Sequence, residues 1–187
     1  THGKIVGVDT GNASLGQGLI AIRAAEAAAA GASLEEVQRI ARETSKRTRT
    51  FACLATLDYA VRGGRVPAWA KTVAEALRVT PLLATFPDGR ITLGGALLGR
   101  GNLSAKFARW VRRRIPPGRR WRLAVGHANA AGEAEKLRAL IVAGRDDIET
   151  AFVLPIGTAL GVHGGPGCLV VSVEQVPDGG ADAGAAS

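Results

Sequence analysis

A histidine followed by a glycine-rich turn is the strongest chemical signal in the sequence. It is the run His163-Gly164-Gly165-Pro166-Gly167. Glycine-rich turns expose backbone amides, and an imidazole beside such amides can bind a carboxylate or a phosphate. The same run also fits a tight loop that holds a hydrogen-bonded structural histidine. The residues alone favour neither interpretation.

Two catalytic classes are excluded by the residue inventory. A His-Gly-Gly run serves the oxyanion in some α/β-hydrolases, but that chemistry requires a Gly-x-Ser-x-Gly elbow, and the sequence contains none. A metal site is not predicted either, because His2, His127 and His163 lie on separate segments without a carboxylate at ligand spacing. We therefore predict no catalytic residues, no metal and no cofactor.

Two arginines stand in turns framed by glycine. Arg65 lies in Gly63-Gly64-Arg65, and Arg100 lies in Gly99-Arg100-Gly101. Glycine lets backbone and guanidinium approach a ligand together, and the guanidinium fork can bond two oxygens of a carboxylate or phosphate. The alternative is that both are ordinary surface arginines in loops.

Glycines also open the first predicted helix, at Gly11, Gly16 and Gly18. Their spacing fits neither the dinucleotide-binding fingerprint nor the phosphate loop of nucleotide hydrolases. Close packing of the helix is the favoured explanation. Asp9 and Ser14 could hold the preceding turn through side-chain bonds to backbone amides.

The basic character of the chain comes from one strip. The chain carries a net charge of +8, and the seven arginines within residues 109–122 account for +7, which leaves +1 for the remainder. With Trp110 and Trp121 nearby, this strip could bind nucleic-acid phosphates or another anionic surface. It could instead be the solvated face and C-terminal end of a helix, or contact a protein partner, and we favour these interpretations over nucleic-acid binding.

Composition indicates a globular protein. The 187 residues are 47% hydrophobic and only 4% aromatic, with 25 glycines, which excludes disorder for most of the chain. No run approaches the ~18 apolar residues of a membrane span, and no charged-then-apolar leader is recognisable, so we expect a cytoplasmic protein. Cys53 and Cys168 lie on apolar segments and are expected to be buried free thiols rather than a disulfide.

Alternating strand and helix patterns predict an α/β fold with a mixed sheet flanked by helices. Ser33 and Glu36 form a capping-box pattern that opens an amphipathic helix reaching to about Arg47. The turn 87–89 between two apolar runs predicts a hairpin. The predicted strands are 5–8, 51–56, 80–86, 90–93, 121–126, 149–154 and 168–173, and the predicted helices are 13–30, 33–47, 57–61, 68–78, 102–115 and 130–143.

The start of the chain resembles the end of a larger unit. A predicted strand at 5–8 is followed by a helix that is apolar on nearly every side, so a further lobe or another chain is expected to cover it. At the other end, residues 177–187 are mainly Gly, Ala and Asp and are expected to be disordered.

Taken together, four segments resemble the DegV family, the bacterial fatty-acid-binding proteins that serve as binding subunits of fatty acid kinase. They occur in the family's order and span nearly all of residues 4–175. The segments are Asp9-Thr10 through Ser14-Leu15-Gly16-Gln17-Gly18, Thr56-Leu57-Asp58-Tyr59 through Gly63-Gly64-Arg65-Val66, Gly99-Arg100-Gly101, and Ile156-Gly157 through Gly161-Val162-His163-Gly164-Gly165-Pro166-Gly167.

The resemblance implies a two-lobed fold with an acyl chain in a tunnel and its carboxylate at the lobe interface. Residues 1–31 would be the closing strand-helix unit of a mostly absent N-terminal lobe, and residues 32–176 the C-terminal lobe. A long-chain fatty acid would be the ligand, and a fatty acid kinase the partner that receives it. The chain itself would hold the acyl-phosphate product without catalysing a reaction.

The resemblance also implies roles for individual residues. His163 would bond the fatty-acid carboxylate, with Gly165 and Gly167 forming its turn. Arg65 and Arg100 would lie near the head group, bound to the acyl-phosphate or to the kinase, and Ser14 would lie near the lobe junction. The sequence departs from the family pattern at Asn102, where arginine or lysine is common. The alternative function is a nucleic-acid or anionic-surface binding module acting through residues 109–122.

Overall fold

A computed structural model describes residues 4–86, 88–99 and 101–177. The helices in this part of the chain are α1 (Leu15–Ala29), α2 (Leu34–Arg47), α3 (Asp58–Arg62), α4 (Ala68–Ala76), α5 (Leu103–Arg112), α6 (Ala131–Val142) and α7 (Thr158–Gly164). The strands are β1 (Thr48–Cys53), β2 (Val79–Thr85), β3 (Ile91–Leu98), β4 (Trp121–His127), β5 (Ile148–Pro155) and β6 (Leu169–Gln175). The predicted α/β class is confirmed.

The described strands form one six-stranded mixed sheet in the order β3-β2-β1-β6-β4-β5. The pair β4 and β5 is parallel, with α6 as the connection between them, and the remaining neighbours are antiparallel. The hairpin expected around residues 87–89 is present as β2 and β3. Strands β1 and β6, at the centre, bring distant parts of the chain side by side.

The two faces of the sheet are covered differently. On one face, α5 and α6 pack over the main hydrophobic core, which includes the fully buried Phe107, Leu137 and Val171. The opposite face carries α1 over β1, β4 and β6, with α2 packed against α1. A second apolar cluster, built largely from residues around α3 and α7, covers the remainder of that face.

The predicted strand at residues 5–8 is wrong. The structure has no regular element there, and Ile5 is 94% exposed. A strand is stable only when a neighbour takes up its backbone hydrogen bonds. None of the six described strands pairs with this segment, so its apolar composition alone does not make it a strand.

The glycine-rich turn at residues 163–167 is partly helical. His163 and Gly164 form the last turn of α7, a helix that the sequence did not indicate, and the turn itself begins at Gly165. Helix α1, by contrast, matches the predicted segment but is buried along one side only, at Gly16, Leu19 and Ile20.

The predictions for the cysteines and the ends of the chain have different outcomes. Cys53 and Cys168 are buried free thiols, as expected. The predicted disordered tail falls almost wholly on residues 178–187, outside the described part of the chain. Among the described helices, none has the length and apolar character to cross a membrane.

Helix α2 begins with the predicted capping box. The Ser33 hydroxyl accepts the Glu36 backbone N–H at 3.3 Å, and the Glu36 carboxylate accepts the Ser33 N–H at 2.9 Å. Two backbone donors that the first turn leaves open are thereby satisfied.

We expect Ser33→Ala to lower the free energy of unfolding by about 1 kcal/mol, because it removes a side-chain cap, and Ser33→Gly to lower it by only a few tenths. Urea denaturation of both variants measures the difference. Equal midpoints for Ser33→Ala and the unsubstituted chain would contradict a stabilising cap.

A carboxyl group is buried between the sheet and α1. Glu174 on β6 is 0% exposed, its cross-strand neighbour is Arg122, and Arg23 Nε of α1 lies 3.5 Å from Glu174 Oε1. Burial raises the pKa of Glu174 to about 7, although Arg122, Arg23 and Arg47 act to lower it. The raised pKa means that the carboxyl holds its proton more tightly in the folded protein than in the unfolded chain.

The stability of the fold should therefore depend on Glu174 ionisation. Because its folded pKa lies above the unfolded value, the stabilisation is complete below the unfolded pKa and is lost as pH rises through about 7. Urea denaturation from about pH 5 to about pH 8 should show a decline that Glu174→Gln flattens. A decline of equal size in both proteins would assign it to other groups.

Candidate functional site

His163 lies where the end of α7 packs against the end of α3. Its side chain is half-buried, and its ring faces the backbone of Gly63: a β-carbon at Gly63 would lie 2.3 Å from His163 Nδ1. That nitrogen is buried and finds no hydrogen-bond partner in the part of the chain that the structure describes. Because glycine has no side chain, position 63 leaves room for the His163 imidazole.

The turn after His163 depends on glycine for two reasons. Gly165 and Gly167 have φ of +71° and +83°, which side-chain-bearing residues rarely adopt. A β-carbon at Gly165 would also lie 2.3 Å from Tyr59 Cδ2, and one at Gly167 would lie 2.9 Å from Ala55 Cβ. The turn is therefore fitted closely against α3 and the segment before it.

Arg65 contacts the same glycine. It is exposed, and its Nη1 donates to the Gly63 carbonyl at 2.8 Å. His163 and Arg65 therefore both contact Gly63, although they are distant in sequence. The structure brings together His163, Arg65 and Gly165, three of the residues predicted for the site.

An apolar cluster lies directly beneath this junction. We call it the α3–α7 cluster, and its buried members are Leu54, Leu57, Ala60, Cys168 and Val170, with partly buried residues that include Ile156 and Leu160 packed against it. Ala60 belongs to α3 and Leu160 to α7, so the helices that position His163 also contribute to the cluster. The polar groups of His163 and Arg65 therefore lie next to the apolar α3–α7 cluster.

Ser14 lies at the other end of this region. It precedes α1, and the next residue, Leu15, lies with Ile156 and Val170 around Gly126 on β4. Ser14 has φ 54° and ψ −131°, and its side chain makes no capping bond to α1. In the described structure it is therefore Leu15, and not Ser14 itself, that lies beside the cluster residues Ile156 and Val170.

A cleft of about 510 Å³ lies at the start of α5. Arg100 itself is outside the described residues, so its predicted role stays a prediction. The cleft is lined by Asn102, Leu103 and Ser104 at the start of α5, by Glu133 on α6 and by Gly167. Ser104 Oγ donates to the Glu133 carboxylate across the cleft, which joins the first turns of the two helices.

The arginine strip at residues 109–122 is used largely within the molecule. Arg112 donates to backbone carbonyls at the end of α6. The Arg114 guanidinium carbon lies 3.3 Å from the centre of the Trp110 ring, and Arg122 Nη1 lies 2.8 Å from Glu26 Oε2. Arg119 and Arg120 bond Gln175 and Glu149. These intramolecular contacts occupy five of the seven arginines, so they weaken the case for nucleic-acid binding by the strip.

Reactive groups are scarce among the described residues. Burial raises the pKa of both Cys53 and Cys168 to about 12, so each thiol stays protonated and unreactive at neutral pH. Within the described ranges, no group of three or more His, Cys, Asp or Glu could hold a metal ion. The arrangement around His163 is suited to binding an anionic group attached to an apolar body.

Sequence reasoning missed a polar cluster under α1. It comprises Asn12, Thr50, Thr85 and Ser172, whose side chains bond one another at the centre of the sheet. Threonines stand at alternate positions of β1, at Thr48 and Thr50, and this pattern in the sequence was the signal that one face of the strand is polar. Their meaning depends on which strand lies beside β1, and the sequence does not supply that register.

The chain belongs to the DegV family. Its residues 1–176 match the profile of this family, which is described as one of uncharacterised proteins. A DegV domain-containing protein of Clostridium perfringens is 30% identical over 173 residues, covering 92% of this chain and 58% of the relative. One of Corynebacterium glutamicum is 30% identical over 174 residues, covering 91% and 63%. The chain thus spans about three fifths of these relatives.

Solved structures of the family share the fold. A fatty-acid-binding DegV family protein of Thermus thermophilus superposes with a TM-score of 0.80 at 27% identity, over 94% of this chain and 62% of the other. DegV of Bacillus subtilis, described as a fatty acid binding protein, gives 0.73 at 25% identity, over 90% and 60%. The resemblance identified from four motifs is confirmed.

Substitution of Gly165 tests the fit of the turn. We expect Gly165→Ala to destabilise the fold by about 1–3 kcal/mol, because it forces a side chain into a positive-φ position and against the Tyr59 ring. Gly161→Ala is the matched control within α7, since its β-carbon meets nothing within 4 Å. Thermal denaturation compares them, and equal Tm values would contradict the described packing.

Proposed function

We propose that the chain binds a long-chain fatty acid, presents it to a fatty acid kinase and holds the acyl-phosphate product. Its role would be that of a carrier rather than an enzyme. The proposal builds on membership of the DegV family and on the fatty-acid binding described for its Thermus and Bacillus relatives. The chain's own residues support it at three points.

The supporting observation of greatest weight is the His163 ring. A buried polar atom normally has a hydrogen-bond partner, and an unpartnered one requires an explanation. His163 Nδ1 is such an atom, at a half-buried side chain beside an exposed arginine. We infer that the imidazole donates an N–H to a fatty-acid carboxylate, with Arg65 supplying positive charge nearby.

The α3–α7 cluster is suited to the hydrocarbon tail. It lies beneath His163 and reaches to Leu15, so a tail that entered it would pass between α3, α7 and the sheet. Each buried methylene group contributes about 0.8 kcal/mol. Burial of the tail would therefore dominate affinity, while His163 and Arg65 would fix the orientation of the ligand.

Presentation to a kinase requires the head group to be reachable from outside. Arg65 is exposed at this corner, and Arg100 is the second candidate by the family resemblance. Gly165 and Gly167 would keep the backbone close to the head group, and Ser14 would contribute from the α1 end. The division into a 1–31 unit and a 32–176 lobe, and the cytoplasmic location, stay predictions.

The proposal is tested by fatty-acid binding to the delipidated chain. We expect palmitic acid to bind and His163→Ala to weaken its binding about ten-fold, the loss typical of one hydrogen bond to a charged group. Arg113→Ala, in the arginine strip, is the control and should bind normally. Native mass spectrometry and calorimetry provide the measurement. If the unsubstituted chain neither retains nor takes up fatty acid, the proposal fails.

A further inference from the structure

Tyr59 lies on the face of α3 that meets the end of α7. Gly63 follows it by four residues, so the two positions lie on the same face of the helix end, about one turn apart. The Gly63 N–H donates to the Tyr59 carbonyl at 2.9 Å, which closes this turn. The face that α3 turns towards α7 therefore combines a large flat ring with a residue that has no side chain.

The two positions contact different parts of the segment that contains His163. A β-carbon at Gly63 would lie 2.3 Å from His163 Nδ1. One at Gly165 would lie 2.3 Å from Cδ2 and 2.8 Å from Cγ of the Tyr59 ring. The imidazole thus lies against Gly63, and the backbone two residues further on lies against the tyrosine ring. A contact at either place restricts the other.

The His163 imidazole depends on such packing for its orientation. Its Nδ1 is buried and has no hydrogen-bond partner among the described residues, so no bond at this nitrogen holds the ring. Glycine at position 165 gives the following turn a conformational freedom that a neighbour has to restrict. Binding groups keep a productive geometry when packed neighbours lock them in place. The rigid ring of Tyr59 is the neighbour that contacts this turn.

The ring of Tyr59 also has a basic neighbour. The Arg62 guanidinium carbon lies 6.0 Å from the centre of the ring, at the limit of the cation–π range. Arg62 is exposed and could attract an anionic ligand by its charge alone. An effect of Tyr59 on ligand binding could therefore pass through the arginine or through the histidine, and the experiment has to separate the two.

We propose that Tyr59 is a positioning residue for head-group binding: its ring holds the Gly165 turn against α3 and so keeps the His163 imidazole in the orientation that bonds the ligand's carboxylate. This inference rests on the proposed function. Tyr59 acts through His163, and it acts with its ring rather than its hydroxyl. It should therefore matter for ligands with an ionised head group and not for the hydrocarbon tail.

Two ligands with the same tail separate this role from a general effect on the fold. The 187-residue chain is titrated with palmitic acid and with 1-hexadecanol, which lacks the carboxylate. We expect Tyr59→Leu to weaken binding of palmitic acid about ten-fold and to leave 1-hexadecanol unchanged. Tyr59→Phe keeps the ring and should bind both ligands normally. Equal weakening of both ligands by Tyr59→Leu, no change for either, or a loss of palmitic acid with Tyr59→Phe would overturn the inference.

Arg62→Gln is the control for the basic neighbour. It removes the charge beside the ring without touching the Gly165 turn, so it should bind palmitic acid normally. A loss as large as that of Tyr59→Leu would assign the effect to Arg62 and overturn the inference.

A double-mutant cycle tests whether Tyr59 acts through His163. In the His163→Ala chain, Tyr59→Leu should weaken palmitic acid no further, because the group that the ring positions is already absent. A second loss of about ten-fold would contradict the inference. If Tyr59→Leu folds poorly, Tyr59→Met replaces it, since a flexible side chain fills the space without a flat ring. A failure of the unsubstituted chain to bind palmitic acid would instead overturn the proposed function.

Discussion

The contact between the His163 ring and the Gly63 backbone is the constraint on which the site depends. It brings the end of α7 against the end of α3 at a separation that any larger residue at position 63 would prevent. The same glycine offers its carbonyl to Arg65. One residue without a side chain thereby sets the position of both an imidazole and a guanidinium, and the Gly165 turn follows because it must pass the neighbouring Tyr59.

The face of the sheet that α1, α3 and α7 cover has a polar part and an apolar part. Under α1 it is polar, with hydroxyl and amide side chains bonded to one another, and under α3 and α7 it is apolar. The order of the two regions follows from the strand register, because Thr50 and Ser172 are paired and so are Ala52 and Val170.

Much of the fold could be predicted because its signals are local. The capping box at Ser33, the hairpin before β3 and the alternation of strands and helices need only nearby residues. The segment 5–8 was predicted wrongly because a strand also needs a neighbour, which composition does not reveal. Helix α7 escaped notice because it is short, contains glycine and has no side-chain cap. The meeting of His163 and Arg65 came from the family resemblance, whereas the Asn12 contacts depend on register and could not be foreseen.

Helices α5 and α6 are tied to each other at both ends. Ser104 bonds Glu133 at their first turns, and Arg112 reaches across from the end of α5 to the carbonyls of Leu140, Ile141 and Ala143. Side-chain bonds therefore hold the two helices at a set spacing at each end of the pair. Ser104 and Glu133 both line the cleft beside Gly167, so the bond between them sets the distance between the α5 side and the α6 side of that cleft.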